Sequence, residues 1–226
     1  MLLRSFLKIK GRLILKEKFK MKIIRKVSEN KMIFEFLKAE INSTRFSKSI
    51  LAELGKIKQP KSLILKPNLD NKKANTFRKR ILSEFRGYGK NKQKNKLIFH
   101  NIPADIKWYL VELTKKELSK VRYIDDYYWR ELSSGTRLPA KAAKNIKSNI
   151  KAYRISNKIY FDILSQIKKG KEFPLMIFVA KNQKSKIVIL EGHARLTAYF
   201  LEPKYVPKKI NTIIGISSKI VKWGLY

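Results

Sequence analysis

Cysteine is absent from the chain. A disulfide framework, a thiolate metal site and a cysteine nucleophile are therefore excluded together. Long apolar runs are missing too: the longest uncharged one, Phe173 to Ala180, falls far short of the roughly 20 residues a membrane-spanning helix needs. The first twenty residues carry Arg4, Lys8, Lys10 and Arg12 among their leucines and isoleucines, which breaks the continuous apolar stretch of a secretory signal. These absences predict a cytoplasmic protein with no membrane partner. Met21 opens a second start, so residues 1–20 read as an extension outside the fold. No Gly-x-x-x-x-Gly-Lys-Ser/Thr loop, His-Glu-x-x-His helix or Cys/His metal spacing occurs.

Acidic residues are scarce, 17 Asp and Glu against 53 Lys and Arg, for a formal net charge of +36. A field of that size attracts polyanions, nucleic acid among them. Most of the excess is lysine, accompanied by many Ile and Asn, as when A/T-rich codons fill solvated positions. Scattered lysine attracts diffusely, whereas the planar fork of arginine makes the bidentate contacts of specific readers. Two readings stand: a nucleic-acid partner engaged by the basic N-terminal half, or a solvated lysine-rich surface.

With 44% apolar and 11% aromatic residues, the composition is that of a globular chain with a real core. Basic charge concentrates before residue 100, which divides the chain into a basic, mainly helical region over 21–100 and a second domain over 101–226. In the first, Ser28 caps a predicted helix to about Glu40, with Ile33, Phe36, Leu37 and Ile41 on one face. A short helix over 44–54 ends at Gly55, and Gln59-Pro60 and Lys66-Pro67-Asn68 signal turns. Residues 71–85 read as a helix ending at Gly87, with Phe77, Ile81 and Phe85 buried. Gly87-Tyr88-Gly89 and the following Lys-rich residues are assigned no chemistry, since such glycines end helices more often than they cradle phosphates.

After Trp108 strands and helices alternate. A strand over 108–113 leads to a Thr114-capped helix over 115–120, and 121–124 reads as extended. A polar segment then carries Asp125, Asp126, Trp129, Glu131 and Arg137. Pro139 opens a helix over 140–150, and Asn157 starts another that Gly170 ends. Strands over 175–180 and 186–190 form a hairpin that delivers the chain into Glu191-Gly192-His193-Ala194-Arg195. Gly192 permits the sharp exit from the strand, and the helix starting near Ala194 presents unpaired N–H groups at a positive dipole end. An anion fits there, with Arg195, His193 and the Thr197 hydroxyl as directed donors. Residues 209–217 read as a further strand.

The run Ile-Val-Ile-Leu-Glu-Gly-His-Ala-Arg-Leu-Thr-Ala-Tyr resembles the second signature of the ParB/sulfiredoxin superfamily. Ser134-Gly135-Thr136-Arg137-Leu138-Pro139, followed by two helices and Phe173-Pro174, is similar to the first. The resemblance spans about 108–201 and implies an α+β fold: a small mixed sheet with helices, to which this chain adds its basic helical N-terminal region. It further implies a nucleotide triphosphate or diphosphate whose phosphates meet Gly192, His193 and Arg195, with Arg137 from the first signature. Sulfiredoxins act through a cysteine in this turn, so sulfinic-acid reduction is excluded here. Partition proteins read DNA with a helix-turn-helix after this domain, yet 25 residues follow Leu201.

A small-molecule kinase of the same fold resembles this chain in its Gly-His-x-Arg turn and implies NTP-dependent phosphotransfer or hydrolysis. Asp125, Asp126 or Glu131 would orient a hydroxyl or hold Mg²⁺ while His193 and Arg195 stabilise the transferred phosphoryl group. Glu191 is the alternative base or metal ligand. Asp125 reads equally as a turn former, Arg137 as a structural ion-pair partner, and Trp129, Trp223 and Tyr226 as base-stacking or as core residues. The competing function is a non-enzymatic nucleic-acid-associated module, and oligomeric state is not legible in the sequence.

Overall fold

A computed structural model describes residues 21–89 and 97–226, and the expected extension over 1–20 lies outside them. The described chain is α+β. Its elements are β1 (Lys22–Lys26), α1 (Glu29–Glu40), α2 (Ser47–Lys56), α3 (Ser62–Leu65), α4 (Lys72–Arg86), β2 (Lys107–Thr114), α5 (Lys115–Leu118), α6 (Tyr127–Leu132), α7 (Pro139–Lys147), α8 (Lys158–Lys168), β3 (Met176–Ala180), β4 (Ile187–Glu191), α9 (His193–Leu201) and β5 (Lys209–Ile216). Among the described residues no helix is long and apolar enough to cross a membrane.

Local chemistry sets most of these boundaries. The Ser28 and Asn71 side chains accept from the N–H groups of Lys31 and Ala74 and so cap α1 and α4. Thr114 and Glu117 form a reciprocal capping box on α5. Gly87, at φ 78°, closes α4 in the left-handed region. Three elements depart from the sequence reading. The five residues of β1 are mostly exposed, so they carry no apolar pattern and exist because β2 pairs with them. Helix α3 lies between Pro60 and Pro67, where only turns were expected, and α6 occupies the polar segment, with Asp126 as its cap.

The strands run in the order β1-β2-β5-β3-β4, antiparallel throughout except for the parallel pair β3 and β5. Alternating side chains of β3 enter different cores. Met176, Phe178 and Ala180 pack with Ile146 of α7, Leu164 of α8 and Leu196 of α9. Ile177 and Val179 pack with Ile33 and Phe36 of α1 and Ile81 of α4. Both faces are therefore covered, which explains why β3 and β4 read as continuous apolar runs. The division near residue 100 does not interrupt this packing, because α1 to α4 share their core with Val188, Leu190 and Ile213.

Candidate functional site

The turn after β4 owes its position to a slip in strand register. Phe178 pairs with Ile189, but the preceding Ile177 pairs with Glu191, leaving Leu190 as one extra residue on β4. Strict alternation would send Glu191 to the α7–α9 side. The bulge re-aims it to the side of Ile177, beneath α1 and α4. Gly192 follows at φ 103° and ψ 15° and caps α9 without a side chain, while its own N–H donates to the Glu191 carboxylate. A Cβ on Gly192 would lie 2.6 Å from the Met176 Cγ, so glycine is required by both backbone and space.

Glu191 and Arg195 are buried and form an ion pair across one helical turn, and Arg195 also donates to the Pro174 carbonyl. Two residues of the helical layer approach them. Glu40, the last residue of α1, pairs with Arg86, the last residue of α4, at 3.4 Å. The Arg86 guanidinium lies 3.9 Å from the Phe46 ring centroid and 5.0 Å from that of Phe85, while Arg45 sits 4.7 Å from Phe46. Burial pushes the Glu191 carboxyl up to about 7; Arg195 opposes this and the neighbouring Glu40 adds to it. Glu40 is raised by burial as well, against the attraction of Arg86.

His193 is the most unusual member. Its ring stacks on Trp129 at 4.8 Å and lies parallel to Tyr123 at 6.0 Å. Burial, with the positive charges of Arg86 and Arg45, lowers its pKa to about 3 and keeps the imidazole neutral. Its Nε2 is buried without a hydrogen-bond partner, and so is the Nε of Arg86. Buried nitrogens are normally satisfied. Both orphans lie on groups close to the start of α9, whose N-cap residue carries no side chain.

The other residues singled out from sequence divide. Thr197 is fully buried and spends its hydroxyl on the His193 carbonyl, at 2.7 Å, and on the Tyr123 hydroxyl. Arg137 is buried at φ 60° and donates to the main-chain oxygens of Tyr123, Leu225 and Tyr226. Asp125 pairs with Arg130 and, at 3.4 Å, with Arg137. These two therefore belong to a separate cluster that ties down residues 225–226. Trp223 is core, its indole N–H donating to the Ile98 carbonyl, and Tyr226 is buried beneath Lys186. A cavity of about 250 Å³ elsewhere, lined by Gln59, Asn71, Lys73, Ala74 and Phe77, contains none of the predicted site residues.

Glu40, Arg45 and Arg86 were not read as site residues. In the sequence they are three charged residues among many, two at helix ends and Arg45 in the turn before α2, all far from the glycine turn. The doublet Phe85-Arg86 before Gly87 is the one local signal, an aromatic next to a helix-terminal arginine. No family model, curated protein or solved structure matches the chain.

Proposed function

We propose that this is a nucleotide-binding protein of ParB/sulfiredoxin-like type that holds a phosphate at the start of α9, a site suited to NTP-dependent phosphotransfer or NTP hydrolysis. The observation that carries the reading is the pair of unpartnered buried nitrogens, His193 Nε2 and Arg86 Nε, beside a helix start that has no side-chain cap. The anion's ligands would be the α9 N–H groups, His193, Arg86 and Arg45. Arg195 is already engaged by Glu191 and acts by holding that carboxylate.

In this reading Glu191 takes the proton of an attacking hydroxyl or water, since a carboxyl raised toward neutrality is matched to general-base work. Charge developing on the phosphoryl oxygens falls to the helix dipole and Arg86. The donor set does not fit Mg²⁺. Among the described residues no group of three or more acidic or histidine side chains can hold a metal, and both carboxylates at the turn are paired with guanidiniums. No step of the reaction is therefore derived through a metal held by this chain.

Isothermal titration of ATP, ADP, CTP and GTP at moderate salt tests the site. Selective, saturable binding is expected, weakened roughly tenfold or more by Arg86→Ala and unchanged by Arg137→Ala. Equal weak binding of every polyanion with a steep salt dependence would sink the nucleotide reading and leave backbone phosphates as the ligand.

A further inference from the structure

The two ion pairs at the glycine turn are built differently. Arg195 is saturated: it is buried and donates to both the Glu191 carboxylate and the Pro174 carbonyl. Arg86 is not. Its Nη2 reaches Glu40 at 3.4 Å, long for a charge-assisted hydrogen bond, and its Nε is buried without a partner. Aromatic rings surround the same guanidinium, with the centroids of Phe46, Phe85 and Phe36 at 3.9, 5.0 and 5.9 Å. Rings orient a guanidinium but leave its N–H donors free for an anion.

Glu40 is held no better. The side chains of Arg86 and Glu40 are 17% and 13% exposed, so this carboxylate has left water for one long ionic contact. Facing it are Arg86 from α4, Arg195 from α9, Glu191 from β4 and the Ser43 side chain from the turn after α1. Burial outweighs the two arginines and holds the Glu40 carboxyl above the usual carboxylate range. An oxyanion on Nε and Nη2 of Arg86 would take a whole edge of the fork. Glu40, deprived of its cation and set beside a second negative charge, must then take up a proton. With Glu40 neutral and His193 neutral, the three guanidiniums of Arg45, Arg86 and Arg195 outweigh Glu191 by two charges. A terminal phosphate carries close to two negative charges at neutral pH. A backbone phosphodiester carries one.

Resting on the phosphate reading of the α9 site, we infer that its ligand is a terminal phosphate rather than a backbone phosphodiester, and that this phosphate displaces Glu40 from Arg86 as Glu40 takes a proton from solvent. Glu40 is then the residue that sets the specificity. In the empty site it balances Arg86, and its neutralisation fits the site to a dianion. A diester leaves one positive charge near the buried turn unanswered. The complex holds more protons than the free protein, so this coupling makes binding weaker as pH rises.

Isothermal titration of AMP, ATP and 3′,5′-cyclic AMP into the full chain tests the displacement, at several pH values and in two buffers of different ionisation enthalpy, which counts the protons taken up. AMP or ATP is expected to bind at least about tenfold tighter than cyclic AMP, whose phosphate is a diester. In Glu40→Gln the proton uptake should shrink and the dependence of affinity on pH should shift to match, the titration of the probe itself being common to both proteins. Circular dichroism checks the fold of the variant, while the proton count and the monoester-to-diester ratio of wild type stand without it. No proton uptake in wild type, an unchanged proton count in folded Glu40→Gln, or cyclic AMP binding as tightly as AMP and ATP each overturns the inference. Arg86→Ala separates the two readings. Binding of no probe, or binding indifferent to Arg86→Ala, overturns the α9 site itself and this inference with it; binding that needs Arg86 but fails the proton or diester test overturns the inference alone.

Discussion

Two arginines that look interchangeable in sequence have opposite surroundings. Arg137 directs its fork at the oxygens of Tyr123, Leu225 and Tyr226, so Arg137→Ala leaves buried acceptors unsatisfied. It is expected to lower unfolding free energy by about 3 kcal/mol without changing nucleotide titration. Arg195 shares a buried ion pair with Glu191. Arg195→Ala strands a buried carboxylate at a cost of about 3–5 kcal/mol, and adding Glu191→Gln should recover part of it, since the uncompensated charge is then gone. Urea denaturation of the four proteins checks both statements; a double variant no more stable than Arg195→Ala alone would contradict the pairing.

At the scale of elements, the decisive junction is β4 into α9. The extra residue Leu190 turns Glu191 toward α1 and α4, and Gly192 turns the backbone into the helix at φ 103°. Gly192→Ala meets the left-handed penalty together with a contact to Met176, a loss of about 1–3 kcal/mol. A midpoint of thermal unfolding equal to wild type would show that the junction is not constrained as described. The hairpin, the glycine and the start of α9 were legible in the sequence because each is a local signal: apolar runs, a turn and a glycine at a strand exit. The bulge was not legible, since register is a property of two strands. Likewise α6 was hidden in a polar segment, although Asp126 was there to cap it.

At the scale of the whole molecule, the two helix layers close on the sheet and bury titratable groups whose shifts oppose one another. Glu191 binds its proton more tightly folded than unfolded, with a value of about 7 against an ordinary 4.5. Its contribution to stability is full below about 4.5 and is lost as pH rises through 7. His193 falls from 6.5 to about 3, so its contribution is full above 6.5 and is lost as pH falls toward 3. The two cancel in part between 4.5 and 6.5. In Glu191→Gln the Glu191 limb is gone, and stability relative to wild type should rise between pH 4.5 and 7 by an amount on the order of 1–3 kcal/mol. Denaturation midpoints at several pH values measure this, and parallel profiles for the two proteins would refute it.

The amino-acid sequence by itself determined the α+β class, the capped helices, the β3–β4 hairpin and the glycine turn, because caps, periodicity and turn chemistry act over a few residues. It also marked Glu191, His193 and Arg195 as neighbours. Only the tertiary structure decided their company. Glu40 and Arg86, from the ends of α1 and α4, and Arg45, from the turn between α1 and α2, reach the glycine turn from more than a hundred residues earlier, while Arg137 and Asp125 are drawn into a separate cluster with Tyr226. Those outcomes follow from how two helical layers pack on a sheet with one register slip, and packing over such separations leaves no periodic trace in the chain.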